Sequence, residues 1–184
     1  MGCQEKYIPC GLVDEDSGQL HIHFGSSYKT SDFIVDTLED WWKGLPIAEQ
    51  KKTQLVQLKV DNGPESSGVR TQFLKRMLAF SDTIGKPIQL LYYPPYHSKY
   101  NPIERCWGIL EQHWNGTQLK DVETMLKWAQ SMTWKGIQPI VKLNQKSYPK
   151  GISLTKIEMQ RIEKRLKRNP DLPKWDILIR PSEG

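Results

Sequence analysis

No stretch of these 184 residues approaches the unbroken run of about 20 apolar residues that a membrane-spanning helix needs. Mean hydropathy is −0.61. Glu5, Lys6, Pro9 and Asp14 interrupt the N-terminus where a secretory signal would need an apolar core. Cysteine is scarce: Cys3, Cys10 and Cys106 are odd in number and far apart. That spacing argues against a disulfide framework or a zinc knuckle and for a reducing compartment. Internal repeats and low-complexity tracts are lacking as well. What is present is a globular balance, with 38% hydrophobic, 26% charged and 10% aromatic residues. A chain of this length and composition buries a core without covalent staples. The net charge of +5 is unevenly placed. Residues 142–184 carry 11 Lys and Arg against 5 Asp and Glu, whereas the rest of the chain is nearly neutral. A basic C-terminal stretch suits a nucleic-acid backbone, and it equally suits a solvated tail.

Patterning predicts strands at Tyr7–Val13 and Gln19–Phe24, joined by the turn Asp14-Glu15-Asp16-Ser17-Gly18. Ser31 is a candidate N-cap for a helix with Ile34, Leu38 and Trp41 on its apolar face, stopped by Gly44 and Pro46. Leu55–Val60 reads as a short buried strand, and Val69 to Ile84 as a helix closed by Gly85. Ile88–Tyr93 reads as a strand ended by Pro94-Pro95. Asn101-Pro102 places an N-cap and an N1 proline before a helix facing inward through Ile103, Trp107, Leu110 and Trp114. Thr117 is expected to cap a further helix to Trp134. A loose segment follows, then a basic helix from the capping box Thr155–Glu158 to Arg168 and an irregular tail. Strands alternating with helices after a hairpin imply an α/β sheet of mixed direction. The expected division is residues 1–135 as the sheet domain and 136–184 as a basic extension.

Two acidic residues fall where such sheets bind ligands. Asp61 ends a strand, and Glu104 stands in the first turn of a helix that follows the next strand. Carboxylates brought together at one rim suit Mg²⁺, which takes oxygen ligands. Each residue also has a local explanation. Asp61-Asn62-Gly63 is a turn signal, and Glu104 is at N3 from Asn101, the capping-box position beside the positive end of the helix dipole. His21 and His23 alternate along a strand and read as a solvent-facing pair, two ligands with no third nearby.

The surrounding text is more specific. Asp61-Asn62-Gly63-Pro64-Glu65 and the block Tyr92-Tyr93-Pro94-Pro95-Tyr96-His97-Ser98-Lys99-Tyr100-Asn101-Pro102-Ile103-Glu104-Arg105-Cys106-Trp107 resemble the DDE transposases of bacterial insertion sequences, closest to the Rhodopirellula-type (ISAzo-type) group. The resemblance continues through Arg70-Thr71-Gln72-Phe73, Glu111-Gln112-His113-Trp114-Asn115-Gly116 and Met132-Thr133-Trp134-Lys135-Gly136, covering about Tyr7 to Trp175. It implies an RNase H-like mixed sheet flanked by helices. It also implies three acidic residues holding two Mg²⁺ or Mn²⁺ ions, for cleavage and strand transfer of DNA. Asp61 matches the second acidic residue and Glu104 the third.

The first acidic residue belongs to a central strand preceding the hairpin, which the chain is expected to lack. Asp14 and Asp16 lie in a turn, the wrong place to substitute for it. The expectation is therefore an N-terminally truncated, inactive fragment with a basic helical appendix. The alternative is a non-catalytic relic that binds DNA or intact transposase subunits. His97, Lys99 and Arg105 are candidate phosphate contacts, and Asn62, Glu65 and Asn101 are candidate supports of the site. Lys156, Arg161, Lys164, Arg165, Lys167 and Arg168 on the basic helix are candidates for the DNA backbone. DNA is the implied partner, with self-association or assembly with full-length transposase, no membrane, and a cytoplasmic, nucleoid-associated location.

Overall fold

The computed structural model describes residues 6–116 and 121–183. In chain order the elements are β1 (Ile8–Val13), β2 (Leu20–Gly25), α1 (Ser31–Gly44), α2 (Ile47–Lys52), β3 (Val56–Val60), α3 (Thr71–Ile84) and β4 (Ile88–Tyr92). After a 3₁₀ turn at Ser98–Tyr100 come α4 (Pro102–Trp114), α5 (Val122–Ser131), β5 (Ile140–Asn144), α6 (Lys156–Arg165), β6 (Leu166–Arg168) and β7 (Asp176–Ile179). The chain forms two units, one of residues 1–29 and 99–148 and the other of residues 30–98 and 149–184.

The first unit holds a three-stranded sheet in the order β1-β2-β5. β1 and β2 form the expected antiparallel hairpin, with Ile8 opposite Gly25 and Val13 opposite Leu20. β2 also pairs in parallel with β5, so it is the central strand and is buried along its whole length. That second partner corrects the expectation for the histidines: His21 and His23 are buried, at 9% and 4% exposure, not solvent-facing. Pro9, which lacks an amide proton, sits in an edge strand as its chemistry demands. The core joins Leu20, Ile22 and Phe24 of the sheet to Cys106 and Leu110 of α4 and Met125 and Ala129 of α5. Ile103, Trp107 and Trp114 pack at its margin. Cys10 and Cys106 are buried, and burial pushes the Cys106 thiol up to about 11.

The second unit holds a four-stranded sheet in the order β3-β4-β7-β6. β3 and β4 are parallel in the register Val56↔Ile88 to Val60↔Tyr92, and β7 is antiparallel to both β4 and β6. α1, α3 and α6 accompany this sheet. Phe33, Phe73, Leu74, Met77, Phe80, Ile88, Leu90, Ile177 and Ile179 are almost fully buried.

Several boundaries differ from the sequence reading. Thr30, not Ser31, caps α1 by accepting from the Phe33 amide, and the buried face of α1 runs through Phe33, Leu38 and Trp42 rather than Ile34 and Trp41. α3 begins at Thr71, leaving Val69 58% exposed. α5 begins at Val122 with Asp121 as its cap, and the expected cap Thr117 lies outside the described residues. α6 carries the expected capping box but ends at Arg165, because Leu166–Arg168 pairs with β7. Residues 136–184 contribute β5 to one sheet and β6 and β7 to the other.

Candidate functional site

β3 is half-exposed rather than buried, since β4 is its one strand partner among the described residues and Gln57 and Lys59 face outward. Its last residue, Val60, leads directly into Asp61, where the chain turns. The Asp61 carbonyl accepts from the Gly63 amide at 2.8 Å and from the Ser66 hydroxyl at 3.0 Å. Two further hydroxyls fix the turn from outside it. Ser31, at the start of α1, donates to the Glu65 carbonyl at 2.7 Å. Tyr92, at the end of β4, donates to the Ser66 carbonyl at 2.6 Å. Burial raises the Tyr92 phenol above its usual range, so it is a permanent donor there. Asp61 is thereby held on a short segment with three hydroxyl anchors, itself half-buried with Oδ1 shielded from solvent.

The supporting residues divide. Glu65 pairs with Arg70 at 3.6 Å, and Asn62 is exposed. In the other unit, buried Asn101 caps α4 by accepting from the Ile103 amide at 3.2 Å. Glu104 is exposed in the first turn, where the helix dipole favours a carboxylate. Arg105 follows it, exposed, and Lys99 is exposed with its ammonium 5.2 Å from the Tyr100 ring centroid. His97 is exposed with Nδ1 2.9 Å from the Pro95 carbonyl. Asp61 belongs to the second unit and Glu104 to the first. Among the described residues no group of three or more His, Cys, Asp or Glu is arranged to hold a metal ion. Asp14 is occupied in its own turn, its Oδ1 accepting from the Asp16 and Ser17 amides at 3.0 and 3.3 Å.

On the basic helix, charge alone does not indicate availability. Arg165 makes a two-pronged pair with Asp82, at 2.7 and 2.9 Å, and reaches the Arg180 carbonyl. The Arg165 hydrogen bond and the Ser182 amide hold the Asp82 carboxyl down at about 2. Arg168 pairs with Glu163 through Nε and a terminal nitrogen, and its other terminal nitrogen donates to the Gly68 and Pro173 carbonyls. Lys156, Arg161, Lys164 and Lys167 are exposed. Ile162 is buried and docks the helix, which lies beside α3 with Lys75 and Glu158 paired at 3.2 Å. The anchoring role of Ser31, Ser66 and Tyr92 is missed by sequence reasoning, which singles out Ser31 only as a cap candidate and Tyr92 only as the start of the Tyr92–Trp107 block.

No helix among the described residues is long and apolar enough to cross a membrane. The family model described as the Rhodopirellula transposase DDE domain matches residues 2–181. No curated protein and no solved structure matches the chain.

Proposed function

The chain belongs to the Rhodopirellula transposase DDE domain family, and on that premise we propose that it serves DNA transposition, with Asp61 and Glu104 as acidic residues of the strand-cleaving site. The observation that carries this reading is the anchored turn. An aspartate immediately after a strand, on a segment whose backbone carbonyls accept from hydroxyls of α1, of β4 and of the segment itself, is a costly arrangement for an ordinary loop. Glu104, in the first turn of the helix after β4, is the second carboxylate.

Each offers hard oxygen donors, the chemistry Mg²⁺ or Mn²⁺ selects, so Asp61 and Glu104 are each proposed as a ligand for such an ion. When bound, such an ion lowers the pKa of the attacking water or 3′-hydroxyl and stabilises the leaving oxygen of the phosphodiester. The chain's other residues act on the DNA itself. His97, Lys99 and Arg105 are proposed to meet phosphates near the scissile bond, with Asn62, Glu65 and Asn101 supporting the two carboxylates. Lys156, Arg161, Lys164 and Lys167 are proposed to track the backbone. Arg165 and Arg168 are included in that surface, although their carboxylate partners reduce what they can give to phosphate.

If these four exposed cations each neutralise about one phosphate, log affinity falls with log salt at a slope near −3.6, an approximately 10²-fold loss between 50 and 200 mM salt. Fluorescence anisotropy on a labelled duplex measures it. Replacing Arg161 and Lys164 together by Gln is expected to flatten the slope by about two. A salt-independent affinity would contradict the reading.

One observation favours a second reading, a chain that binds DNA or intact transposase subunits without cutting: among the described residues no group of three or more His, Cys, Asp or Glu is arranged to hold a metal ion. Assayed alone with Mg²⁺ or Mn²⁺, the 184-residue chain is expected to leave supercoiled plasmid unnicked. Metal-dependent nicking that disappears in Asp61→Ala would overturn that expectation and favour the catalytic reading for the isolated chain.

A further inference from the structure

Tyr96 is 97% exposed, more than any other large apolar side chain among the described residues. Its φ is +67°, in the left-handed region that aromatic residues avoid. The turn around it enforces both features. Pro94 and Pro95 restrict the backbone entering it, the His97 amide donates to the Pro94 carbonyl at 3.1 Å, and the His97 ring lies against the Pro95 carbonyl. A strained residue normally has a packing return, and here the ring packs on nothing that would repay the strain.

Its position is informative. β3 and β4 are parallel and in register at Val60↔Tyr92, so both strands end at one edge of the sheet. The Tyr93 amide donates to the Val60 carbonyl at 3.1 Å, which carries the pairing up to Asp61. Tyr96 is three residues further on, on the loop leaving the same sheet edge as Asp61. Strand C-terminal edges are where open α/β sheets bind their ligands.

The geometry points to Tyr96 as a stacking platform for an unpaired nucleobase of the DNA presented to the Asp61 edge. This rests on the DNA-processing reading above and deepens it by naming which part of the DNA is gripped. A base has an apolar π-face that matches an exposed phenol ring, and stacking tolerates any sequence. A paired base inside a duplex offers no such face. The ring therefore selects strand ends, flaps and bulges over intact duplex, which is what a residue beside a strand-cleaving site would have to recognise.

The test uses the full chain with two oligonucleotide duplexes, one blunt and one with a short 3′ overhang containing 2-aminopurine. Affinity is read by anisotropy and stacking by 2-aminopurine quenching. Wild type is expected to quench the overhang. Tyr96→Ala is expected to lose quenching and about 10-fold in affinity for the overhang DNA, with blunt-duplex affinity unchanged. Tyr96→Phe, which keeps the ring, is expected to behave as wild type. At so exposed a site both variants should melt with wild type, which excludes a folding defect as the cause. Equal affinity of wild type and Tyr96→Ala for the overhang DNA would overturn the inference while leaving DNA binding intact, as would an equal loss on both duplexes. Failure of wild type to bind either DNA would overturn it together with the reading on which it rests.

Discussion

Replacing Gly68 by alanine is expected to destabilise the second unit by about 3 kcal/mol, at the upper end of what overpacking usually costs. A Cβ there would stand 2.3 Å from the Lys174 carbonyl oxygen and 3.2 Å from Cδ1 of Ile177. The obstacle is backbone, so no side-chain rotation relieves it. Neither side is free to retreat. The Trp175 and Asp176 amides donate to the Leu172 carbonyl, and the Trp175 carbonyl accepts from Tyr92, so the segment around Lys174 is locked to β4. Gly68 itself is tied through its carbonyl to Arg168, whose same nitrogen holds Pro173. The strain would also reach the candidate site, because Gly68 is two residues from Ser66, one of the anchors of the Asp61 turn. Urea unfolding measures the loss as a shift in midpoint at constant slope. Gly108→Ala is the control: it lies on the exposed side of α4 with nothing near its would-be Cβ, so it should be neutral or stabilising by up to about 1 kcal/mol. A Gly68→Ala protein with the wild-type midpoint would mean that β7 does not approach this turn as described.

What could be read from the sequence follows from how local each signal is. The β1–β2 hairpin, α3 and α4 announce themselves through periodicity, caps and breakers within one element, and the Thr155–Glu158 capping box is present as read. β5 and β7 do not. Ile140–Asn144 and Asp176–Ile179 are short, flanked by prolines, and exist because β2 and β4 supply partners more than 80 residues away in sequence. The same tertiary pairing overrides helical continuation at Leu166–Arg168. Trp41 and Trp42 are equally plausible inward residues on paper, and packing alone selects Trp42.

Among the candidate site residues, Asp61 and Glu104 are legible because a strand end and a helix start have local grammar. Ser31 and Tyr92 reach the Asp61 turn across about 30 residues of chain, and nothing local marks that role. Arg165 and Arg168 show the opposite limit. A basic helix looks like a phosphate surface whether or not its guanidiniums already have carboxylates, and only the fold reveals Asp82 and Glu163.

Removing the guanidinium of Arg76 is expected to cost about as much as the Gly68 clash. Arg76 on α3 is four-fifths buried and donates to Asp32 at 2.6 Å and to Asp36 at 2.5 Å, with Glu39 at 3.4 Å, all three on α1. Burial alone would lower its pKa, but the hydrogen bonds it donates to Asp36 and Asp32 outweigh it and the net direction is upward, so the charge is fixed. In Arg76→Met the three carboxylates keep Gln72 as the amide donor to Asp32, and they repel one another along a single helix face. Breaking a buried pair costs about 3–5 kcal/mol, and the residual solvent access here puts the expected loss at the lower end, about 3 kcal/mol. Adding Asp36→Asn to Arg76→Met should return at least about 1 kcal/mol by removing one repelling charge, so the double variant is expected to be more stable than the single. Urea denaturation of both measures this. The consequence extends to function, because α1 also presents Ser31 to the Asp61 turn. A loosened α1 should therefore raise amide exchange at Glu65 and Ser66 before the β3–β4 ladder exchanges. If Arg76→Met unfolds at the wild-type midpoint, the ion network adds nothing, and the packing of Phe33 and Phe73 must hold the two helices unaided.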